Sequence, residues 1–541
     1  MEFDYIIIGA GSAGCVLADR VSAPDTSGSK HSVLVLEAGP SDLNFRIRMP
    51  IGYGKIFYDA RVNWKYLTEP VEALGGRQSY WPRGKVLGGS SSINAMVYVR
   101  GHPSDFDDWA ADGATGWGWD AVAPVFRRME DWQGGADAYR GAGGPLAVHD
   151  QTGEVHPICD AFFAAAGQAG LARTPDYNGA GMEGVAAYQI NTRGGMRAST
   201  ARCYLRPAMK RANVEVLTRA QVTRVVFEGA RAVGVEYLRG GETHGVRVRA
   251  EVILSGGAVN SPQLLQLSGI GPGAVLQAAG IGVRCDAPAV GRHLQDHLGL
   301  DILYRSKVPT LNQVLRPWWG KLRAGLQYVL LRNGPLSISI NHAGGFARSQ
   351  AALARPDLQL YFQPMSYTRA PVGTRPLMQP DPFPGFQMGF SPCRPTSRGE
   401  IVIRSADPLV PPAIRPNYLA TETDRAAMLT GMRYIRRLAE APALREIIDA
   451  ELNPGAEVAD DAALRQFTRD NAWTVFHPSG TCRMGADPEA SAVDPRLRVH
   501  GVAGLRVVDA SVFPSITSGN TNAPTIMVAE RAAELIIEDA K

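Results

Sequence analysis

A chain of 541 residues, 45% hydrophobic and 20% charged, has room for two or more folding units and the make-up of an ordinary globular protein. Its formal net charge is only +4 and it has no long run of Lys and Arg, which argues against nucleic acid as a partner. The six cysteines are scattered without a Cys-x-x-Cys pair, so no zinc site or redox pair is expected and free thiols are the simplest reading.

Met1-Glu2-Phe3-Asp4 carries no basic leader, and no stretch of ~20 uninterrupted apolar residues follows. The expectation is a cytoplasmic chain without a transmembrane segment. Tyr5 to Ile8 is a continuous apolar run, as in a strand buried on both faces of a parallel sheet. The turn Gly9-Ala10-Gly11-Ser12-Ala13-Gly14 follows, then a helix over Cys15 to Val21 and a second strand over Ser32 to Leu36, ending at Glu37. This is a strand–turn–helix–strand unit of the Rossmann kind.

Residues 51–83, rich in Gly, Tyr, Trp and Pro, read as a long ordered excursion. Alternation over Val214–Val226 and Val233–Tyr237 predicts strands of a separate small sheet. Val252 to Leu254 is a further buried strand running into Gly256-Gly257-Ala258. Later segments mix helices with strands at Leu358–Gln363 and Ile401–Arg404. A helix over Thr423–Leu438 has Thr423 as its expected cap. Leu505 to Asp509 reads as a strand, and Thr525–Ile537 as a helix with Pro524 near its first turn. There is no internal repeat.

The glycines of Gly9-x-Gly11-x-x-Gly14 have separate tasks: a tight turn, close approach of backbone to a pyrophosphate, and helix–strand packing. The helix that opens there directs its free N–H groups at the phosphate, and Ser12 and Ala13, within the motif, are expected to contact the cofactor as well. Glu37, 23 positions past Gly14 (37 − 14), ends the second strand where an acid binds ribose hydroxyls; Ala38 follows it. The motif alone does not separate FAD from NAD.

Three further segments carry a resemblance. Trp81-Pro82-Arg83-Gly84-Lys85-Val86-Leu87-Gly88-Gly89-Ser90-Ser91-Ser92-Ile93-Asn94 resembles the first signature of the glucose–methanol–choline (GMC) oxidoreductases. Ser255-Gly256-Gly257-Ala258-Val259-Asn260-Ser261-Pro262, continuing to Gly271, resembles the second. His477-Pro478-Ser479-Gly480-Thr481-Cys482-Arg483-Met484-Gly485, with Val508-Asp509 and Gly519-Asn520-Thr521-Asn522-Ala523-Pro524-Thr525, resembles the C-terminal active-site block. The similarity spans almost the whole chain.

The resemblance implies an α/β fold with a Rossmann-like FAD-binding domain and a substrate domain built on an antiparallel sheet. The FAD domain would comprise residues 1–157, 214–297 and 465–541, and the substrate domain residues 158–213 and 298–464. In the first signature, Val86, Gly88, Gly89 and Ser90 are expected against the cofactor, followed by Asn94, Ala95, Met96 and Val97. Val222, Ala258, Asp509, Ala510 and Thr521 complete the expected FAD contacts. Some relatives link FAD through a histidine just before this Asn; here Ile93 stands there, so a non-covalent flavin is expected.

The implied reaction is hydride transfer from an alcohol to flavin N5. The resemblance makes His477 the general base, and a neutral imidazole suits that task. Asn520 is implied as its partner, hydrogen-bonding the substrate oxygen. His342 and Phe476 are candidate substrate contacts. Choline-oxidising relatives carry Glu at the position aligned with His342, so a neutral or polyol-like primary or secondary alcohol is expected rather than choline. FADH2 would be reoxidised by a quinone-like carrier or dioxygen. Rival readings are a flavin-containing lyase resembling the hydroxynitrile lyases, or choline dehydrogenase proper. His293-x-x-x-His297 has metal-ligand spacing on a helix, but the family carries a similar stretch as structure and no metal is expected.

Overall fold

The computed structural model describes residues 2–24, 28, 30–367 and 379–540. Two seven-stranded sheets organise it. In the first, Val214–Thr218, Val33–Glu37, Glu2–Ile8 and Glu242–Leu254 lie side by side in parallel, with Ile6 opposite both Leu34 and Val252. Leu505–Val507 adds a further parallel strand against Val252–Leu254. Tyr5 to Ile8 and all of Val33–Glu37 are buried, which explains their unbroken apolar runs. The helices Ser12–Val21 and Asn522–Asp539 pack together and share one core with these strands through residues such as Val16, Leu17, Ile526 and Met527.

The strands over 214–239 do not form a separate sheet. Val214–Thr218 closes one edge of the parallel sheet, while Gln221–Glu228 and Arg231–Arg239 extend its other side antiparallel. The cause is the 13-residue strand Glu242–Leu254, long enough to pair with Arg231–Arg239 along its first half and with Leu505–Val507 at its end.

The second sheet runs Ile448–Asn453, Leu298–Ser306, Gly385–Pro392, Leu358–Gln363, Ala343–Ala347, Gly184–Ala187, with every pair antiparallel. Trp473–Thr474 joins at the start of Leu298–Ser306. Side chains alternate across each strand. On Leu358–Gln363, Leu358, Leu360 and Phe362 enter a hydrophobic core, whereas Tyr361 and Gln363 line the large cavity described below. The helix Glu422–Glu440 closes the core side through Met428, Met432 and Ile435. It lies so close that a Cβ on Gly431 would come within 2.0 Å of the Phe390 ring.

Two helix starts differ from expectation. Thr421, not Thr423, caps Glu422–Glu440: it is extended, and its hydroxyl accepts from the Asp424 amide at 3.2 Å. The last helix begins at Asn522, so Pro524 is its third residue, where the missing N–H still has no intrahelical partner to lose. Among the described residues, no helix is long and apolar enough to cross a membrane.

Candidate active site

A cavity of about 610 Å³ is lined from both sheets. The end bordered by the Gly9–Gly14 turn, expected to take the nucleotide, is made of backbone. Gly9 has φ +95°, and a Cβ there would meet the Ser255 carbonyl oxygen at 2.5 Å; one on Gly14 would lie 1.9 Å from the Gly9 oxygen. Gly11 differs: it lines the cavity, and the nearest atom to an added Cβ is 3.8 Å away. That is the open approach a pyrophosphate needs. A second glycine loop packs on the first, with the Gly88 amide donating to the Ala10 carbonyl at 2.7 Å. A Cβ on Gly89 would fall 2.7 Å from Gly11 Cα.

Two helix N-termini border this end without side-chain caps: Ser12–Val21, preceded by Gly11, and Asn522–Asp539, preceded by Thr521. Their first amides are free for an anion, and the positive ends of their dipoles favour one. Ser12 Oγ donates to Asn522 Oδ1 at 2.8 Å, fixing one start against the other. The Glu37 carboxylate accepts from the amides of Ala10 at 2.9 Å and Gly39 at 2.8 Å, so it holds both turns. Burial raises its pKa to about 7 against those hydrogen bonds.

Most of the sequence-derived cofactor residues line this cavity. Ser12, Ala13, Glu37, Ala38 and Val222 are on its nucleotide side, with Gly9 and Gly11. Gly89, Ser90 and Asn94 to Val97 form its middle, and Ala258, Asp509, Ala510 and Thr521 face them. Gly14, Val86 and Gly88 do not line it. Gly14 serves helix–strand packing, Val86 is buried in a separate hydrophobic cluster, and Gly88 ties the two glycine loops. Asn94 Oδ1 is taken by the Met96 amide at 3.0 Å and Arg197 at 2.7 Å, leaving its NH2 group to offer a ligand. Asp509 accepts from the Gly257 amide, Ser261 Oγ and the Ser511 amide, so it anchors the helix Gly257–Leu267.

The other end of the cavity is built from side chains. His297 Nε2 lies 2.9 Å from the Cys393 carbonyl, which only accepts, so Nε2 carries the proton. Burial lowers the His297 pKa to about 4, leaving it neutral with Nδ1 as acceptor. That Nδ1 is 3.0 Å from Nδ1 of His477, which must therefore donate. His477 is itself held well below 6.5, by burial first and then by His297 and Arg83. A neutral imidazole protonated at Nδ1 is an acceptor at Nε2, and there it takes a hydrogen bond from Asn520 Nδ2 at 3.1 Å. Gln359 Nε2 donates to Asn520 Oδ1 at 3.0 Å and so sets which way that amide faces.

The turn before His477 is equally constrained. Asp296 accepts from the His477 amide at 2.7 Å, Thr474 Oγ1 at 2.5 Å and the Tyr418 hydroxyl. Burial raises Asp296 to about 6. Phe476 takes the left-handed conformation at φ +67°, with its carbonyl gripped by Arg83 at 2.7 Å. Such a strained residue persists only where its surroundings fix it.

Phe476 lines the cavity but His342 does not. The His342 imidazole is buried, its Nδ1 accepts from the His156 amide at 2.9 Å, and burial lowers its pKa to about 3. Its neighbour Asn341 is on the wall instead, since adjacent side chains of an extended segment face opposite ways. His293 and His297 share no helical face, because His293 sits at φ +61°, and among the described residues no group of metal-ligating side chains occurs. Motif reasoning missed His297, Asp296 and Gln359. The first two stand in Leu294-Gln295-Asp296-His297, read only as structure, and nothing local marks Gln359.

Profiles described as GMC oxidoreductase match residues 3–299 and 395–529. The chain is 44% identical to an oxygen-dependent choline dehydrogenase of Vibrio vulnificus, covering 99% of this chain and 94% of that one. It is 44% identical to the mitochondrial choline dehydrogenase of Homo sapiens, over 99% and 90%. With an alcohol dehydrogenase [acceptor] of Pseudomonas putida it shares 41% identity, over 99% and 96%. Among solved structures, pyridoxine 4-oxidase from Mesorbium loti superposes with a TM-score of 0.87 at 33% identity, covering 98% of both chains. A formate oxidase gives 0.91 at 26%, over 99% of this chain and 98% of the other. The glycine cradle and uncapped helix starts fit the cofactor of such enzymes, and the chain belongs to the GMC oxidoreductases, FAD-dependent enzymes acting on the CH–OH group of their donors.

Proposed function

We propose that this enzyme oxidises a primary or secondary alcohol that is neutral or polyol-like, with His477 as general base and Asn520 as the group that holds the substrate oxygen. The observation that carries this is the hydrogen bond from Asn520 Nδ2 to the acceptor Nε2 of His477, 3.1 Å long, on the cavity wall. Bound FAD supplies the hydride acceptor. A substrate hydroxyl that replaces the Asn520–His477 hydrogen bond, accepting from the Asn520 NH2 group and donating to Nε2, loses its proton to Nε2, and Asn520 steadies the oxygen as it becomes negative. His297 keeps the proton of His477 on Nδ1, so Nε2 stays ready to accept one. Dioxygen or a quinone-like carrier takes the electrons onward.

Two wall residues support a hydroxylated, uncharged substrate: Asn341 Oδ1 and Gln363 Oε1 are buried without a hydrogen-bond partner. Substrate hydroxyls would satisfy them. Choline is a second reading, and the relatives favour it equally. Aromatic walls including Tyr58, Trp64, Tyr80 and Trp473, together with Asp301, suit a trimethylammonium group. Non-covalent FAD is supported by Ile93 at the cavity wall and by the absence of cysteine among the described lining residues.

Anaerobic addition of neutral primary alcohols and polyols should bleach the flavin faster than choline does. Faster bleaching by choline would select the second reading, and a flavin left oxidised by every alcohol while a cyanohydrin is cleaved would indicate a lyase. Acid precipitation should leave the flavin in the supernatant; yellow protein pellets would show a covalent link. His477→Ala should slow flavin reduction by at least ~100-fold. Because folding lowers the His477 pKa, the neutral base is fully present above 6.5 and is lost only as pH falls below that value. Reduction rates should therefore be level from about pH 7 upward, and a rate still rising there would contradict this base. His297→Ala should lower kcat roughly 10-fold or more with a smaller change in KM, and move the acid limb of the pH profile, as expected when a base loses the group that sets its tautomer. An unaltered profile would make His297 a packing residue only.

A further inference from the structure

Several large apolar side chains are exposed on one helix. In Trp318–Leu331, Trp318 and Leu330 are each 75% exposed and Trp319 is 56% exposed; Leu322, Leu326 and Val329 are more than half exposed. At about 100° per residue these six occupy an arc of roughly 120°. The buried residues Gly320, Ala324 and Tyr328 lie on the opposite side, where Ala324 shares a cluster with Ile47, Tyr53 and Ile56. The apolar arc therefore points outward, away from the core that a helix normally serves. Phe45, 51% exposed, meets the inner-face Tyr328 edge to face at 6.2 Å and so borders the helix from that side.

The charge around this surface is mostly basic, with Asp59 the acid that lies close enough to Arg46 to feel its charge. Residues 311–340 contain four basic side chains and no acidic one, and residues 43–58 contain three and none. Lys321 and Arg323 fall on either border of the apolar arc, and the exposed Lys55 is near enough to Lys321 and Arg46 to feel both charges. Such an arrangement fits a lipid interface: tryptophans at the headgroup level, aliphatic side chains in the acyl boundary, and long cationic side chains reaching phosphates. A second copy fits poorly, because a two-fold contact through this patch would set these cations against their own counterparts.

We propose that the outer face of Trp318–Leu331, with Phe45 and the flanking cations, docks this enzyme on an anionic phospholipid surface. The helix lies in the interface plane, since among the described residues no helix is long and apolar enough to cross a bilayer. Ala324 on its inner face belongs to the same hydrophobic cluster as Tyr53, which lines the active-site cavity, so docking sets that side of the molecule toward the lipid. The inference stands independently of which alcohol is oxidised.

The test is co-sedimentation of the FAD-loaded enzyme with phosphatidylcholine vesicles, with and without phosphatidylglycerol. Binding is expected with the anionic vesicles, weakened by high salt and blue-shifting the tryptophan fluorescence. The Trp318→Ser/Trp319→Ser and Lys321→Glu/Arg323→Glu variants should each lower the bound fraction at least ~10-fold. None of these residues lines the cavity, so turnover with a soluble acceptor and flavin absorbance should match the parent. Parent enzyme remaining in the supernatant with anionic vesicles, or binding unaffected by both variants, would overturn the proposal. So would light scattering showing a dimer that the double tryptophan variant converts to monomer, which would give the face to a second copy.

Discussion

Two neutral imidazoles whose Nδ1 atoms lie 3.0 Å apart share one proton between them, and the direction in which it is held decides the chemistry of the cavity. The Cys393 carbonyl settles it by claiming the Nε2 proton of His297. His477 is then a donor at Nδ1 and an acceptor at Nε2. In a buried site a broken link would leave a polar atom unpaired, at a cost of about 1–3 kcal/mol, so the chain is fixed in one polarity.

The parts of this relay come from distant stretches of chain. His297 leads into Leu298–Ser306, Cys393 follows Gly385–Pro392, and Gln359 belongs to Leu358–Gln363, all in the antiparallel sheet. Asn520 precedes the last helix, which packs on the parallel sheet's first helix. The end at the Gly9–Gly14 turn thus rests on backbone amides and glycines, and the end at His477 on side chains. Asp296 joins the two ends by holding the turn at Thr474–His477 from beneath, where its carboxylate also lies near Arg83 of the first signature.

How legible each feature was in the sequence followed its range. The strand–turn–helix at Ile8–Ser12 is dictated by neighbours in the chain, so its glycines reveal their tasks directly. Thr423 was the cap expected from sequence, but the backbone is extended two residues earlier, at Thr421, which takes that place. Strands over 214–239 were visible as strands, but their membership of the main sheet depends on the length of Glu242–Leu254, a partner choice that alternation does not encode. His342 missed the cavity by one residue, because reversing the facing of an extended segment exchanges Asn341 for His342. His477 and Asn520 were singled out through motif resemblance and lie in hydrogen-bond contact, whereas Gln359, which orients Asn520, has meaning only in three dimensions.

The central claim concerns a single proton, and nitrogen NMR of the enzyme labelled at its ten histidines observes it directly. Assigned through the loss of one signal in a His477 variant, the His477 ring should show a protonated Nδ1 and an unprotonated Nε2 at neutral pH. An imidazolium, or a neutral ring carrying its proton on Nε2, would contradict the account.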